Sequence, residues 1–429
     1  MTLKIKGGAI PRITLSRRST VSVAIRVMVL IGSLCSIYAL SWADGIHTGN
    51  YALIGWNDLG MHCISPSYKE MAILPPFNNL WVQVIQRGDP PSIITDGISL
   101  EYSIDRNKTV EGKTDFWQYA PELFDVNLPL GIGLTGNGLS GRMKVVGDHF
   151  EATGIPVLPY DDKMNWNPYQ IATVKLKSAF GRVLKKAQVV LPVSNELNCQ
   201  KCHDTGADAS ANYNIDTGTL EGNILTIHDT ISGTSLILSK PVLCASCHAS
   251  NALGTTGDGK RRSLSQSMHE KHSTLLDLGY MDLPGCYDCH PGPVTQCTRT
   301  AIGGMGYSGD TPSCPSCHGD LKQMGESIAQ GRKPWFQEPT CEQCHGKNYS
   351  TGQDLYRNSK GHGGVYCSAC HNSPHAWWPS KLWSDNLQPL KLQKNSFAIG
   401  DCGVCHTKKQ KGDNPHVKYY QTLEGQENE

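Results

Sequence analysis

The chain has 429 residues, the length of two or three ordinary domains. Its 39 Lys and Arg residues almost balance 38 Asp and Glu residues, and this near-neutral charge excludes a general nucleic-acid binder. The unusual counts are 17 cysteines and 16 histidines. In a reducing cytosol so many thiols would need metals or cofactors to occupy them.

Residues 1–43 have the pattern of an export signal. Basic residues from Lys4 to Arg26 precede an apolar stretch over 27–40, and Ser41 and Ala43 place small residues at a cleavage site before Asp44. The apolar stretch is short for a membrane span, and an uncleaved anchor is the alternative. No later segment is predicted to cross a bilayer. We therefore expect an exported protein, located in the periplasm, on the outer-membrane surface or outside the cell.

Residues 44–195 are predicted to form a β-rich region. Short strand signals separated by turn residues occur at 51–56, 80–86, 98–105, 142–146, 170–177 and 187–191. In the third of these, Ile98, Leu100, Tyr102 and Ile104 alternate with polar residues, as in a half-buried strand. Because no long helical period is evident, the pattern predicts an all-β, sandwich-like domain.

Residues 196–429 have a different character. Their apolar periodicity is weak, and 15 of the 17 cysteines lie between positions 199 and 406. One hairpin is predicted at 224–239, with its turn at Ser232-Gly233. The remainder is expected to be loops and short helices with little regular structure. A region with so few apolar residues for a core is expected to fold around a bound group.

The cysteine motifs indicate which bound group this is. Seven C-x-x-C-H units follow one another, and every C-x-x-C in the chain is followed by His. The units are Cys199, Cys202 and His203; Cys244, Cys247 and His248; Cys286, Cys289 and His290; Cys314, Cys317 and His318; Cys341, Cys344 and His345; Cys367, Cys370 and His371; and Cys402, Cys405 and His406. C-x-x-C-H is the attachment signature of haem c, whereas zinc ribbons need such units in pairs. The sequence thus predicts seven covalent haems.

The spacing of the units predicts how these haems are arranged. Seven haems attached between residues 199 and 406 leave too few residues to insulate each one in its own pocket. They must pack on one another, and a row of closely spaced redox centres conducts electrons. We therefore predict a non-haem region over 44–195 and a seven-haem cytochrome domain over 196–429.

Nine further histidines are available as second axial ligands. The predicted iron ligands among them are His62, His228, His269, His272, His362, His375 and His416. His375 lies four residues after His371, so we expect it to bind a different iron from His371. His269 and His272 are expected to reach two neighbouring irons. His149 is interpreted as a surface strand residue, and His47 stays uncertain.

Two cysteines of the mature chain lie outside the units. Cys63 and Cys297 are predicted to form a disulfide in an oxidising compartment, and two separate buried thiols are the alternative.

Four segments carry a resemblance to a known family. They are the GWNDLGMHC stretch at 55–63, CHPGP at 289–293, HGG at 362–364 and SPHA at 373–376. The chain resembles multihaem c-type cytochromes of metal-reducing bacteria of the Geobacter type. The resemblance implies electron transfer during extracellular respiration, with redox partner cytochromes or external electron acceptors. Some related cytochromes polymerise into conductive filaments.

Three functions are consistent with these features. The first is a seven-haem electron carrier with mostly bis-histidine irons and no catalytic residue. The second is a multihaem reductase of a small nitrogen or sulfur oxyanion, which needs one iron with an open position. The third is a subunit of a conductive filament, whose self-assembly is its function.

Overall fold

The computed structural model describes residues 49–277, 285–292, 294–301, 314–346, 349, 355–408, 410 and 416. The predicted export signal at 1–43 and His47 lie outside these residues. The strands are β1 (Tyr51–Trp56), β2 (His62–Cys63), β3 (Met71–Ala72), β4 (Leu80–Gln86), β5 (Ser92–Ile93), β6 (Ile98–Ile104), β7 (Ser140–Arg142), β8 (Lys144–Val146), β9 (His149–Ala152), β10 (Tyr169–Ser178), β11 (Val183–Ser194) and β12 (Val242–Leu243).

Two five-stranded sheets organise the β-rich region. In the first, the strand order is β1-β4-β9-β8, with β5 paired to β4. In the second, the order is β2-β11-β10-β6-β7. Strand β2 pairs parallel to β11, with His62 opposite Val193, whereas β10 is antiparallel to both β6 and β11. Strands β3 and β12 form a separate parallel pair.

The predicted all-β sandwich is therefore wrong. The sheets have mixed topology and include a half-barrel. The alternation of apolar residues located the long strands but could not report the parallel pairings, because these involve two-residue strands with no period of their own. The predicted strand at 142–146 is also divided: β7 joins the second sheet and β8 the first, with buried Met143 between them.

Strand β1 of the first sheet is buried on both faces. On one face, Leu53 joins the main core between the two sheets. On the other face, Ile54 and Trp56 pack with Tyr366, which directly precedes the sixth C-x-x-C-H unit, and with Val404, which lies inside the seventh. The β-rich region is thus a platform on which the last two units rest.

The helices are α1 (Phe116–Phe124), α2 (Gln200–His203), α3 (Asp208–Asn212), α4 (Leu220–Ser232), α5 (Leu264–Asp277), α6 (Pro315–His318), α7 (Leu321–Ala329), α8 (Glu342–His345), α9 (Cys367–His371) and α10 (Leu387–Gln393). Helix α1 was not predicted, although Phe116, Ala120 and Leu123 are buried at helical spacing within it. The helices α4 and α5, of 13 and 14 residues, make this region more regular than the predicted collection of loops.

The hairpin predicted at 224–239 is a helix instead. Thr219 caps helix α4, because its side chain accepts a hydrogen bond from the backbone N–H of Gly222 at 3.2 Å. Gly233 ends the helix in the left-handed conformation, with φ of 65°. The Ser232-Gly233 pair that suggested a hairpin turn is the end of this helix, and His228 lies on it.

The described residues contain no helix that is long and apolar enough to cross a membrane.

Candidate haem ligands

Each C-x-x-C-H unit adopts a short helical turn. Four units form α2, α6, α8 and α9, and the others form 3₁₀ turns at Cys244–Ser246, Cys286–Asp288 and Cys402–Val404. In the first unit the backbone N–H of His203 donates to the carbonyl oxygen of Cys199 at 2.9 Å, and the third and seventh units have the same bond at 2.8 Å. A helical turn places residues four apart on one side, so the first cysteine and the histidine of a unit lie near each other.

Six of the seven unit histidines face a second histidine. The facing rings are those of His203 and His272, with 6.4 Å between ring centroids; His248 and His228, 6.3 Å; His290 and His269, 6.1 Å; His318 and His375, 6.1 Å; His371 and His416, 5.9 Å; and His406 and His362, 6.2 Å. Every one of these second histidines was a predicted ligand.

The separation of the rings has the size of a metal-binding gap. A metal–imidazole bond is about 2 Å long, and a ring nitrogen lies about 1 Å from its ring centre, so two imidazoles on one metal have centroids about 6 Å apart. The six pairs therefore fit a metal such as haem iron held between two imidazoles.

Hydrogen bonds at Nδ1 orient several of these rings. On helix α5, His269 and His272 donate from Nδ1 to the carbonyl oxygens of Ser265 and Met268, at 2.8 and 2.7 Å. His248 donates to the carbonyl oxygen of Arg262 at 2.8 Å. A carbonyl oxygen only accepts, so Nδ1 carries the proton in these histidines. Their Nε2 is left with a lone pair, which is the form that binds a metal.

In the seventh unit a carboxylate, instead of a backbone carbonyl, orients the histidine ring. His406 Nδ1 lies 3.0 Å from Asp89 Oδ1, and Asp89 follows strand β4 in the first sheet. Asp89 also accepts hydrogen bonds from Thr407 and Gln410. No local sequence signal marks Asp89, because only folding brings it to His406, which lies 317 residues later.

Burial keeps the imidazoles of several units neutral. Burial, reinforced by His272, lowers the pKa of His203 to about 4. Burial likewise lowers the pKa of His318 to about 4 and that of His371 to about 4, with His375 and His416 adding to the respective shifts. A neutral imidazole is the metal-binding form, so the fold holds these ligands ready over the physiological pH range.

The backbone at His375 is unusual. Its φ of 62° lies in the left-handed region, which a residue with a Cβ adopts at a cost. Its carbonyl oxygen accepts hydrogen bonds from the backbone N–H groups of Arg299 and Thr300, at 2.6 and 3.1 Å. These bonds hold the loop in the conformation that turns His375 away from its own unit and toward His318.

In two other histidines, Nε2 forms a hydrogen bond with a carboxylate. His62 Nε2 lies 2.8 Å from Asp58 Oδ1, and the structure does not bring His62 to a unit histidine. His149 Nε2 lies 2.7 Å from Glu151 Oε1. His149 is on strand β9 as expected, but it is buried, so its interpretation as a surface residue is wrong. An acidic residue four positions before His62 and another two positions after His149 were visible signals in the sequence.

His345 of the fifth unit faces a tyrosine. Its ring centroid lies 5.6 Å from that of Tyr349, and Tyr349 also contacts His416, at 5.2 Å. Among the described residues, His345 is the unit histidine for which no facing imidazole is found.

Thiols from different units lie close together in the first half of the series. Cys286 of the third unit shares a hydrogen bond with Cys314 of the fourth. Burial raises the pKa of Cys244 to about 11 and that of Cys289 to about 12, and the nearby Cys199 adds to both shifts. The first unit is therefore a neighbour of both the second and the third.

The last three units are neighbours too. Burial raises the pKa of Cys367 to about 11, with Cys341 of the fifth unit adding to it. Burial raises the pKa of Cys370 to about 12, with Cys405 of the seventh unit adding to it. His375, which follows the sixth unit and faces the fourth, joins the two groups.

Cys63 and Cys297 are separate thiols in the structure, so the predicted disulfide is not formed. Burial raises the pKa of Cys63 to about 12, and the nearby Cys297 adds to that shift. Both thiols are therefore protonated at neutral pH, and they link the β-rich region to the segment that supports His375.

Clusters of three or more metal-binding side chains are absent from the part of the chain that the structure describes. The potential ligands meet in facing pairs instead. That arrangement suits a planar cofactor that supplies its own equatorial ligands and needs the protein only above and below the metal.

One comparison with known proteins gives a match. The family described as cytochrome c554 and c-prime matches residues 320–372, which include the fifth and sixth units. No curated protein and no solved structure matches the chain. The match supports a c-type cytochrome that binds haem c and transfers electrons.

Proposed function

We propose that the chain is a heptahaem c-type cytochrome that conducts electrons through closely packed, mostly bis-histidine haems. The observation that carries the proposal is the set of six facing histidine pairs, each with room for one metal. We further propose that it works in periplasmic or extracellular respiration, between redox partner cytochromes and external acceptors. The export pattern and the cysteine usage of the sequence favour this location.

The chain's own residues have three tasks in this function. The two thiols of each unit would hold a haem covalently, and in six units the unit histidine and its facing partner would both bind the iron. Hydrogen bonds from Nδ1 to Ser265, Met268, Arg262 and Asp89 fix the rings in their metal-binding orientation. When bound, haem c supplies a one-electron couple, whose potential two neutral imidazoles keep lower than a His/Met pair would.

The contacts between neighbouring units favour an electron-transfer path that differs from the order of the units in the sequence. The second unit lies by the first, the first by the third, and the third by the fourth. The sixth unit lies by both the fifth and the seventh, and it reaches the fourth through His375. We propose that electrons follow this order, with a branch at the sixth haem.

The haem content of the purified, full chain tests the proposal. Mass spectrometry of the intact protein is expected to give the chain plus seven haems. Electron paramagnetic resonance of the oxidised protein is expected to show at least six low-spin haems. A mass corresponding to fewer haems, or a majority of high-spin irons, would refute the assignment.

Removal of one partner histidine is expected to change the spin state of one haem. His375→Ala and His362→Ala leave all attachment cysteines intact, so each variant should keep seven haems by mass. Each should gain one high-spin signal, because one iron loses its second imidazole. His149→Gln is the matched control, and it should leave the spin state unchanged because His149 Nε2 is bound to Glu151. An unchanged spectrum in His375→Ala would remove that residue as a ligand.

A multihaem reductase is the second candidate, and one observation favours it. Such an enzyme needs an iron with an open position. The fifth unit, where His345 faces Tyr349, is the place where the chain could provide one.

A further inference from the structure

The carboxylate of Asp89 is held against a candidate iron ligand. Its Oδ1 accepts one hydrogen bond from Nδ1 of His406 at 3.0 Å and another from Gln410 at 2.8 Å. Its Oδ2 accepts a hydrogen bond from the hydroxyl of Thr407 at 2.9 Å. A carboxylate is ordinarily ionised at neutral pH and then only accepts, so the shared proton lies on Nδ1 of the histidine. Nε2 of His406 is therefore left with its lone pair for a metal.

Backbone pairing fixes the carboxylate in this place. Gly88, directly before Asp89, forms an isolated parallel bridge with His406. The N–H of Gly88 donates to the carbonyl oxygen of Cys405 at 3.3 Å, and its carbonyl oxygen accepts from the N–H of Thr407 at 3.2 Å. The side chains of Asp89 and His406 are 14% and 16% exposed. The two side chains thus meet inside a junction that the backbone itself defines.

Neutral acceptors occupy the corresponding position at three other facing histidines. His248, His269 and His272 each donate from Nδ1 to a backbone carbonyl oxygen. At His406 the acceptor carries a full negative charge. A hydrogen bond to an ionised acceptor is roughly twice as strong as one between neutral groups, and a carboxylate on the outer nitrogen raises the basicity of a metal-bound imidazole.

One cation lies at the same unit. Nη2 of Arg87 donates to the carbonyl oxygens of Gly403 and His406, at 3.0 and 3.3 Å. Its charge acts on a bound haem through space and in the opposite direction to that of Asp89. The carboxylate is hydrogen-bonded to the ligand itself, so the electron density that it gives to the imidazole reaches the iron through the metal–nitrogen bond.

We propose that Asp89, acting through His406, lowers the reduction potential of the seventh haem and so favours electron transfer from this haem to the sixth. A negative charge on the ligand stabilises ferric iron, which carries one positive charge more than ferrous iron. In this step the ferrous iron of the seventh haem is oxidised, and the ferric iron of the sixth is reduced by the same electron. The two units are in contact, because Ala369 of the sixth and Val404 of the seventh pack in one buried cluster.

This inference rests on the proposed function, since it needs a haem at the seventh unit. Asp89 is a positioning residue in it, because it contacts His406 and not the iron. Its effect differs from that of a residue that only orients the ring. Removal of the charge alone, with the hydrogen bond kept, changes the potential in the first case and leaves it unchanged in the second.

Spectroelectrochemical titration of the full holoprotein measures the effect. Asp89→Asn keeps an oxygen that accepts from Nδ1 of His406 but removes the negative charge. We expect the ratio of reduced to oxidised iron in one of the seven haems to rise about tenfold at a fixed potential, which is a positive shift of about 59 mV for a one-electron couple. The variant should keep seven haems by mass and the same number of low-spin irons, because both imidazoles stay in place.

Asp401→Asn is the matched control. Asp401 directly precedes Cys402, and it accepts a hydrogen bond from the N–H of Gly403 at 2.8 Å, which asparagine can also accept. This variant removes the same charge beside the same attachment cysteines and leaves the bond between Asp89 and His406 in place. It should produce a clearly smaller shift than Asp89→Asn.

Two results would overturn the role of Asp89. An unchanged titration in Asp89→Asn, with seven low-spin haems, would show that the carboxylate only orients the ring. Equal shifts in Asp89→Asn and Asp401→Asn would show that it acts as a nearby surface charge and not through His406. Fewer than seven haems in the unmodified protein would instead contradict the proposed function itself.

Discussion

Gly60→Ala is expected to destabilise the folded protein by about 3–5 kcal/mol, because two penalties add at this position. Gly60 has a φ of +77°, which disfavours any residue with a Cβ. A Cβ built there also overlaps the backbone carbonyl of Pro374, far inside van der Waals contact, and approaches the Cβ of His375. Since Pro374 precedes His375, a shift of this loop that relieves the overlap also moves that histidine. Urea unfolding followed by circular dichroism measures the loss.

Gly112→Ala is the matched control for this prediction. Gly112 has a nearly equal φ of +72°, but a Cβ there meets nothing within 4 Å. It should therefore cost only the backbone penalty, about 1 kcal/mol. Gly60→Ala should also produce one high-spin haem, as His375→Ala does, whereas Gly112→Ala should not. Equal stability of the two variants would show that Gly60 does not set the position of the His375 loop.

Asp385→Ala is expected to destabilise the protein by about 3–5 kcal/mol, because it leaves a buried guanidinium without its counter-charge. Arg299 is 1% exposed, and its Nε donates to Asp385 Oδ2 at 2.8 Å. The same guanidinium donates to the carbonyl oxygen of Gly60 at 2.9 Å. It thus ties the GWNDLGMHC stretch to the loop that carries His375. Urea unfolding again provides the measurement.

Glu101→Ala serves as the comparison for a surface ion pair. Glu101 lies 2.5 Å from Lys177, and its side chain is 43% exposed. Its loss should cost at most about 1 kcal/mol, since solvent screens the pair. The double variant Arg299→Met/Asp385→Leu should recover part of the stability that Asp385→Ala loses, because no unpaired charge remains. If Asp385→Ala costs no more than Glu101→Ala, the buried pair is not what holds this junction.

Local patterns in the sequence located most strands and all seven C-x-x-C-H units. The strict spacing of C-x-x-C-H is a property of the covalent chemistry, so it is legible without a fold. Strands β6 and β10 alternate clearly because only one of their faces meets the main core. The architecture was mistaken because β1 is buried on both faces, and its second partner, the segment around Tyr366, is about 300 residues away. Helix α4 was misread because a glycine ends helices and hairpin turns alike.

The sequence indicated candidate ligands but not how they pair. On helix α5, His269 faces the third unit and His272 faces the first, and that they reach two neighbouring irons stays a prediction. His62 was predicted as a ligand on its sequence neighbourhood alone, whereas the structure places its Nε2 against Asp58. Which nitrogen of a histidine is free depends on its hydrogen-bond partners, and most of these are fixed only by folding.

The facing histidine pairs also constrain the order in which the fold can be completed during synthesis. A growing chain emerges with its N-terminus first. The partners of His248, His290 and His406 precede them in sequence, so these pairs can close as soon as each unit emerges. The partners of His203, His318 and His371 come later, so these units wait for the chain that follows. In the order of synthesis three of the six pairs therefore close late, and a chain that ended before His272 would leave His203 without its facing histidine.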